Sequence, residues 1–196
     1  MFVMKPFLCS LFFLFIITSC GSLASLSASG SSQMRDSLTY LQKCIDFIDQ
    51  VRPTNQKETT LLLASKPFQF EYFDCLENAL LDTVNFSQKE RDTLRTKQFI
   101  RISEWSTDQF SKVTIVNSDT ITSIFKDSKR GWQYFYKHFG SSFSTYSTPY
   151  FFRNDAYCLF YADDSCGYEC GQGSLNLYKK EGSRWIIVRT YCNWIS

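Results

Sequence analysis

Between Met34 and Val51 the apolar residues Leu38, Leu41, Ile45 and Ile48 recur at spacings of three, four and three. That is one stripe of an α-helix, and Pro53 stops it because its ring clashes with the preceding turn. "TTLLLAS" and "FQFEYFD" follow, and their pattern fits either two short strands or a helix entry and a strand. "CLENALLDTV" reads as helical. In "FSQKERDTLRTKQF", Ser87 and Glu90 stand three apart as a capping box, which predicts a helix over 88–98. "KVTIVN", residues 112–117, alternates like a strand.

Trp132, Phe135, Tyr136 and Phe139 fall at i, i+3, i+4 and i+7. They predict a helix with one buried aromatic face, ended by Gly140. From there the pattern changes to period two. "FSTYSTPYFF", "NDAYCLFYA", "SLNLYKK" and "RWIIVRTYCNW" predict about four antiparallel strands, with Glu181-Gly182-Ser183 as the last turn. Strict alternation in the final strand puts Ile186, Val188, Thr190, Cys192 and Trp194 on one face. Trp185, Ile187, Arg189, Tyr191 and Asn193 fall on the other. Apolar groups on both faces predict a central strand or one in a concave sheet. The expected class is α+β, helices first and sheet after.

The first residues, "MFVMKPFLCSLFFLFIITSCGS", do not belong to this pattern. Lys5 precedes an apolar run from Phe7 to Ile17, which is shorter than the ~20 residues of a membrane-spanning helix and has the layout of an export signal. Ile17-Thr18-Ser19-Cys20 resembles the lipobox of bacterial lipoproteins. The resemblance implies cleavage between Ser19 and Cys20 and lipid on the Cys20 thiol, with two or more acyl chains making the anchor stable. Gly21, where an Asp would mark inner-membrane retention in enteric bacteria, leans the address toward the outer membrane. The expected organisation is a signal peptide over 1–19, a small, polar, flexible tether over 20–33 and one α+β domain over 34–196.

The chain carries a formal net charge of +2, which falls by one when Lys5 leaves with the leader. Nothing in that balance implies a nucleic-acid partner. The basic run Lys89, Arg91, Arg95, Lys97 and Arg101 is interrupted by Glu90 and Asp92 and reads as a solvated helix face. Without Cys9 and Cys20, six cysteines remain: Cys44, Cys75, Cys158, Cys166, Cys170 and Cys192. An even number outside the cytoplasm predicts disulfides. The meander favours Cys166 with Cys170, or one of them with Cys192, leaving Cys44 for Cys75.

The loop "ADDSCGYECGQGS" concentrates candidate chemistry. Four cysteines could be assembled for zinc, but a single Cys-x3-Cys without a second close pair is a weak ligand pattern. Asp163, Asp164 and Glu169 read as a solvated acidic turn before they read as a calcium site. No nucleophile–base–orienter set is visible, and His138, the only histidine, falls off the aromatic face of its helix. We therefore expect no metal, no cofactor and no catalytic residue. The expected function is a non-enzymatic binding or interaction domain at the cell envelope. Its candidate surface is the loop Cys166, Gly167, Tyr168, Cys170, Gly171 and Gly173, which suits a glycan or protein partner, with the membrane reached through the lipid. The alternative is an envelope hydrolase with acids in a sheet cavity.

Residues 166–172, 179–187 and 194–196 (Cys-Gly, Cys-Gly-x-Gly, a Lys-rich hairpin, Gly-x-x-Trp-x-Ile, Trp-x-Ser) resemble the ending of a group of uncharacterised exported proteins of Bacteroidota. That resemblance implies an address and no activity. The helix-then-sheet order is similar to the cone-shaped layout of nuclear-transport-factor-2-like domains.

Overall fold

The computed structural model describes residues 25–53, 60–69, 74–96, 102–127 and 129–196. Residues 25–35 and Asp74 are described by their backbone alone. Asp36–Ser196 form one compact unit, distinct from Met1–Arg35. The lipobox, with Ser19 and Cys20, lies outside the described residues.

Helix α1 spans Ser25–Val51, so the backbone is helical over much of the stretch expected to be a tether. Its buried stripe is Cys44, Ile45, Phe47 and Ile48, broader and later than the pattern predicts, and Leu38 is 57% exposed. "LLLA" is strand β1, Leu61–Ala64, while Phe68 makes a single bridge to Ser147. Helices α2, Asp74–Leu81, and α3, Gln88–Thr96, follow. The capping box is formed: Ser87 N–H donates to Glu90 Oε2 at 2.8 Å, and Glu90 N–H to Ser87 Oγ at 3.4 Å. Strand β2, Val113–Val116, leads into α4, Ser118–Lys126, which the pattern does not announce. Asn117 caps it, accepting from the N–H groups of Asp119 and Thr120.

Helix α5, Gly131–His138, precedes the strands β3 (Phe143–Tyr146), β4 (Tyr150–Phe152), β5 (Tyr157–Gly167), β6 (Cys170–Glu181) and β7 (Arg184–Ile195). Gly182, at φ +62°, supplies the left-handed residue of the last hairpin.

The α+β class holds, but the sheet is a seven-stranded mixed one, ordered β2-β1-β3-β5-β6-β7 with β4 alongside β5. This corrects the expected four antiparallel strands, and the layout differs from the cone-shaped domains. The difference has a physical origin. β1 pairs in parallel with both β2 and β3. Parallel pairing needs helical crossovers, and short strands covered on both faces lose the period-two signature. β7 is an edge strand, not a central one, and Ile186, Ile187 and Val188 are exposed. Two register shifts between β6 and β7 also break strict alternation. They let Tyr191 and Cys192 pack into the same cluster.

Helices cover both sheet faces. On one, Phe47 of α1 makes edge-to-face contacts with Phe151, Phe160, Tyr178 and Trp185 at 5.1–5.6 Å between centroids. On the other, Cys75, Leu76, Ala79 and Leu80 of α2 join Leu159, Tyr161, Leu175 and Leu177. Trp132 and Phe135 of α5 pack with Ile121 and Ile124 of α4 over Ala64 and Val116. Tyr136 and Phe139 are exposed at 47% and 36%, so the buried face of α5 is narrower than predicted.

Candidate functional site

Alternation along β5 and β6 sends Phe160, Ala162 and Asp164, together with Gln172, Ser174, Asn176 and Tyr178, to the face that meets α1. Where α1 ends, Ile48, Val51, Arg52 and Pro53 stand off from this face. A half-enclosed cavity of about 330 Å³ opens between them, bordered by Tyr146 of β3 and by Ile187, Asn193 and Ile195 of β7. Its volume is at the small end of ligand pockets, and its wall is largely apolar with a few polar groups.

Those polar groups are specific. Thr190 donates to Asn176 Oδ1 at 2.7 Å, and Asn176 Nδ2 donates to Ser174 Oγ at 2.8 Å, which holds the amide in one orientation. The Ser144 hydroxyl donates to Asp164 Oδ1. Burial first, then the nearby charge of Asp164, pushes the Tyr146 hydroxyl far above its ordinary value, while Arg52 draws it back. Tyr146 therefore stays neutral.

Arg52 is only 7% exposed. Its Nη2 lies 3.3 Å from the Ser111 carbonyl and 3.3 Å from Asp49 Oδ1. Its Nε and Nη1 have no hydrogen-bond partner among the described residues.

The chain matches no family model, no curated protein and no solved structure. Its function must therefore be read from the geometry itself.

The cysteine loop is the closed end of the β5–β6 hairpin. Pairing continues to Gly167 opposite Cys170, and a Cys166–Cys170 disulfide ties the end. The tip rests on α5. Tyr136 donates to the Cys166 carbonyl at 2.7 Å, and Tyr168 Oη lies 2.9 Å from the position a Cβ on Gly131 would take. Gly171 and Gly173 leave room for a side chain: the Trp194 indole covers both. Of the candidate loop residues, only Gly173 lines the cavity.

Asp163 and Asp164 are strand residues on opposite faces, not a solvated turn. Burial pushes the Asp163 carboxyl up to about 6, against hydrogen bonds from Tyr161 and Thr145 that favour its charge.

The second disulfide joins Cys75 of α2 to Cys192 of β7. This corrects the pairing of Cys44 with Cys75. α1 and α2 lie on opposite sheet faces, so Cys44 cannot reach Cys75. Cys44 and Cys158 are free and buried in the α1-side cluster, and burial pushes both thiols well above their usual range. Neither is a nucleophile. No group of three metal-ligating side chains stands together among the described residues. His138 is exposed, with its ring 4.2 Å from that of Tyr134.

Sequence reasoning missed Arg52. An arginine one residue past a helix and one before a proline reads as solvent-facing. The only available signal was that Ile48 and Val51 precede it by four residues and one, on the apolar side of α1.

Proposed function

We propose that this chain is a lipid-anchored, exported domain of the cell envelope, held at the outer membrane through Cys20, that binds a small organic molecule without transforming it. The cavity between the end of α1 and the sheet carries this reading. It combines an apolar wall with fixed amide and hydroxyl groups. The lipobox supports the address, and so do two disulfides, which persist where thiols are oxidised. The binding surface thereby moves from the cysteine loop to the neighbouring strands. Among the described side chains lining the cavity, Asp164 is the one carboxylate, and His138 is not one of them. That favours binding over the hydrolase alternative, which needs an acid and a base in reach of one substrate.

The test is calorimetric titration of the full chain in lipid nanodiscs with neutral, water-soluble 3-phenylpropionamide, with empty nanodiscs as control. Saturable one-to-one binding is expected, and Ala162→Trp, which fills the cavity, should abolish it while circular dichroism stays native. Absence of binding by both the amide and its parent acid, or binding that survives Ala162→Trp, rejects the reading.

A further inference from the structure

Arg52 raises a question that the fold does not answer. A guanidinium carries five N–H hydrogens, and burying them without partners is costly. Here Nη2 is engaged, by the Ser111 carbonyl and Asp49, while Nε and Nη1 are buried without partners among the described residues. The side chain is 4% exposed, and the residue lines the cavity. Packing alone would be served by a leucine. A buried, partly unmet donor set on the wall of an open cavity is a place prepared for an acceptor.

The charges around it narrow what that acceptor belongs to. Among the described residues lining the cavity, Arg52 and Asp164 are the only pair of oppositely charged side chains, and Asp49 of α1 stands 3.3 Å from Arg52. Asp164, which already accepts from the Ser144 hydroxyl, opposes a second negative charge. That repulsion grows with each negative charge on the ligand, so a phosphate or a dicarboxylate would meet it most and a single carboxylate least, provided its body is apolar enough for Ile48, Phe160 and Ile187. The cavity volume of about 330 Å³ limits that body to a small molecule.

We propose that the cavity selects a small organic monocarboxylate and that Arg52 is the residue that recognises its anionic group. This rests on the cavity being the binding site, as proposed above.

The experiment compares 3-phenylpropionate, indole-3-propionate and decanoate with their primary amides, titrated calorimetrically into the full chain in nanodiscs. Each amide has nearly the shape of its acid and lacks the charge, and empty nanodiscs account for partition into lipid. Charge-assisted hydrogen bonds exceed neutral ones, so the acids should bind about tenfold or more tightly than the amides. In Arg52→Gln the ratio should collapse to near one while amide binding remains measurable, and Arg52→Lys should restore part of the ratio. Asp164→Asn, which removes the opposing charge and keeps the shape, should strengthen acid binding and so widen the ratio of acid to amide affinity. Equal affinity of acid and amide in the wild type overturns the assignment while leaving the cavity reading intact. So does a preference that survives Arg52→Gln. Failure of acids and amides alike overturns both. If Arg52→Gln does not fold, the wild-type ratio and the Asp164→Asn response decide the question without it.

Discussion

The indole of Trp194 occupies the side-chain space of Gly173. Cε2 of the ring lies 2.8 Å from the position a Cβ there would take, and the indole N–H donates to the Tyr161 hydroxyl at 2.9 Å. The same ring lies 3.0 Å from the Cβ position of Gly171. Two glycines in β6 thus form a slot for one aromatic of β7, a cross-strand contact that compensates for the side chains glycine lacks.

Gly173→Ala should therefore displace the indole and destabilise the fold by about 1–3 kcal/mol, the range of overpacking. Trp194→Ala should also destabilise, and the double variant should cost less than the sum because the clash is gone. Urea denaturation of all three variants measures the coupling. Additive costs would show that the ring is not what Gly173 accommodates.

Non-reducing peptide mapping should find Cys75–Cys192 and Cys166–Cys170, with Cys44 and Cys158 alkylated only after denaturation. The two bridges differ greatly in the loop they close, 117 residues of separation against 4. Cys75→Ser with Cys192→Ser should cost about 2–5 kcal/mol, and loss of the short bridge clearly less, because closing a longer loop removes more freedom from the unfolded chain.

How much of this was legible in the residues depended on how local the cause was. The Ser87–Glu90 box and the Gly182 turn are decided within a few residues, and both stand where the spacing puts them. The tip disulfide is nearly as local. The parallel edge was hidden because β1 and β2 are four-residue strands whose pairing depends on intervening helices. Asp163 and Asp164 read as a turn because acids are rare inside strands, and only the long β5–β6 hairpin overrides that preference. Arg52 was invisible for a different reason: its burial comes from β3, β5 and the Ser111 region, all distant in sequence.

Asp163 should make the protein more stable in mild acid than at neutrality. Its carboxyl titrates at about 6 in the folded chain and near 4 when unfolded. The folded state therefore binds the proton more tightly, and stability falls as pH rises through that window. Asp163→Asn should remove this slope and raise stability at pH 7 by about 1–2 kcal/mol. Chemical denaturation between pH 4 and 7.5 shows it, and an unchanged slope in the variant would contradict the assignment.

Asp82 and Glu90 behave in the opposite sense. Burial works against the charge of Asp82, but hydrogen bonds from Asn85, from Tyr191 and from the Val84 N–H hold its carboxyl below the ordinary range. For Glu90 burial is likewise outweighed, here by the paired hydrogen bonds of Arg153 at 2.9 Å and by the Ser87 cap. The stability they contribute is present above the ordinary carboxylate range and is lost as pH falls through it. Glu90→Gln should flatten this acid limb and cost about 1 kcal/mol at pH 7, since the pair is partly solvated. Melting temperature against pH from 2 to 5 is the readout.

Arg52 follows the first helix, whereas Asn193 and Ile195 belong to the edge strand β7. The hollow between them exists only while that outermost strand stays zipped to β6. Fraying of this border would erase one side of the cavity and leave the inner strands paired, so local opening would empty it well before global unfolding.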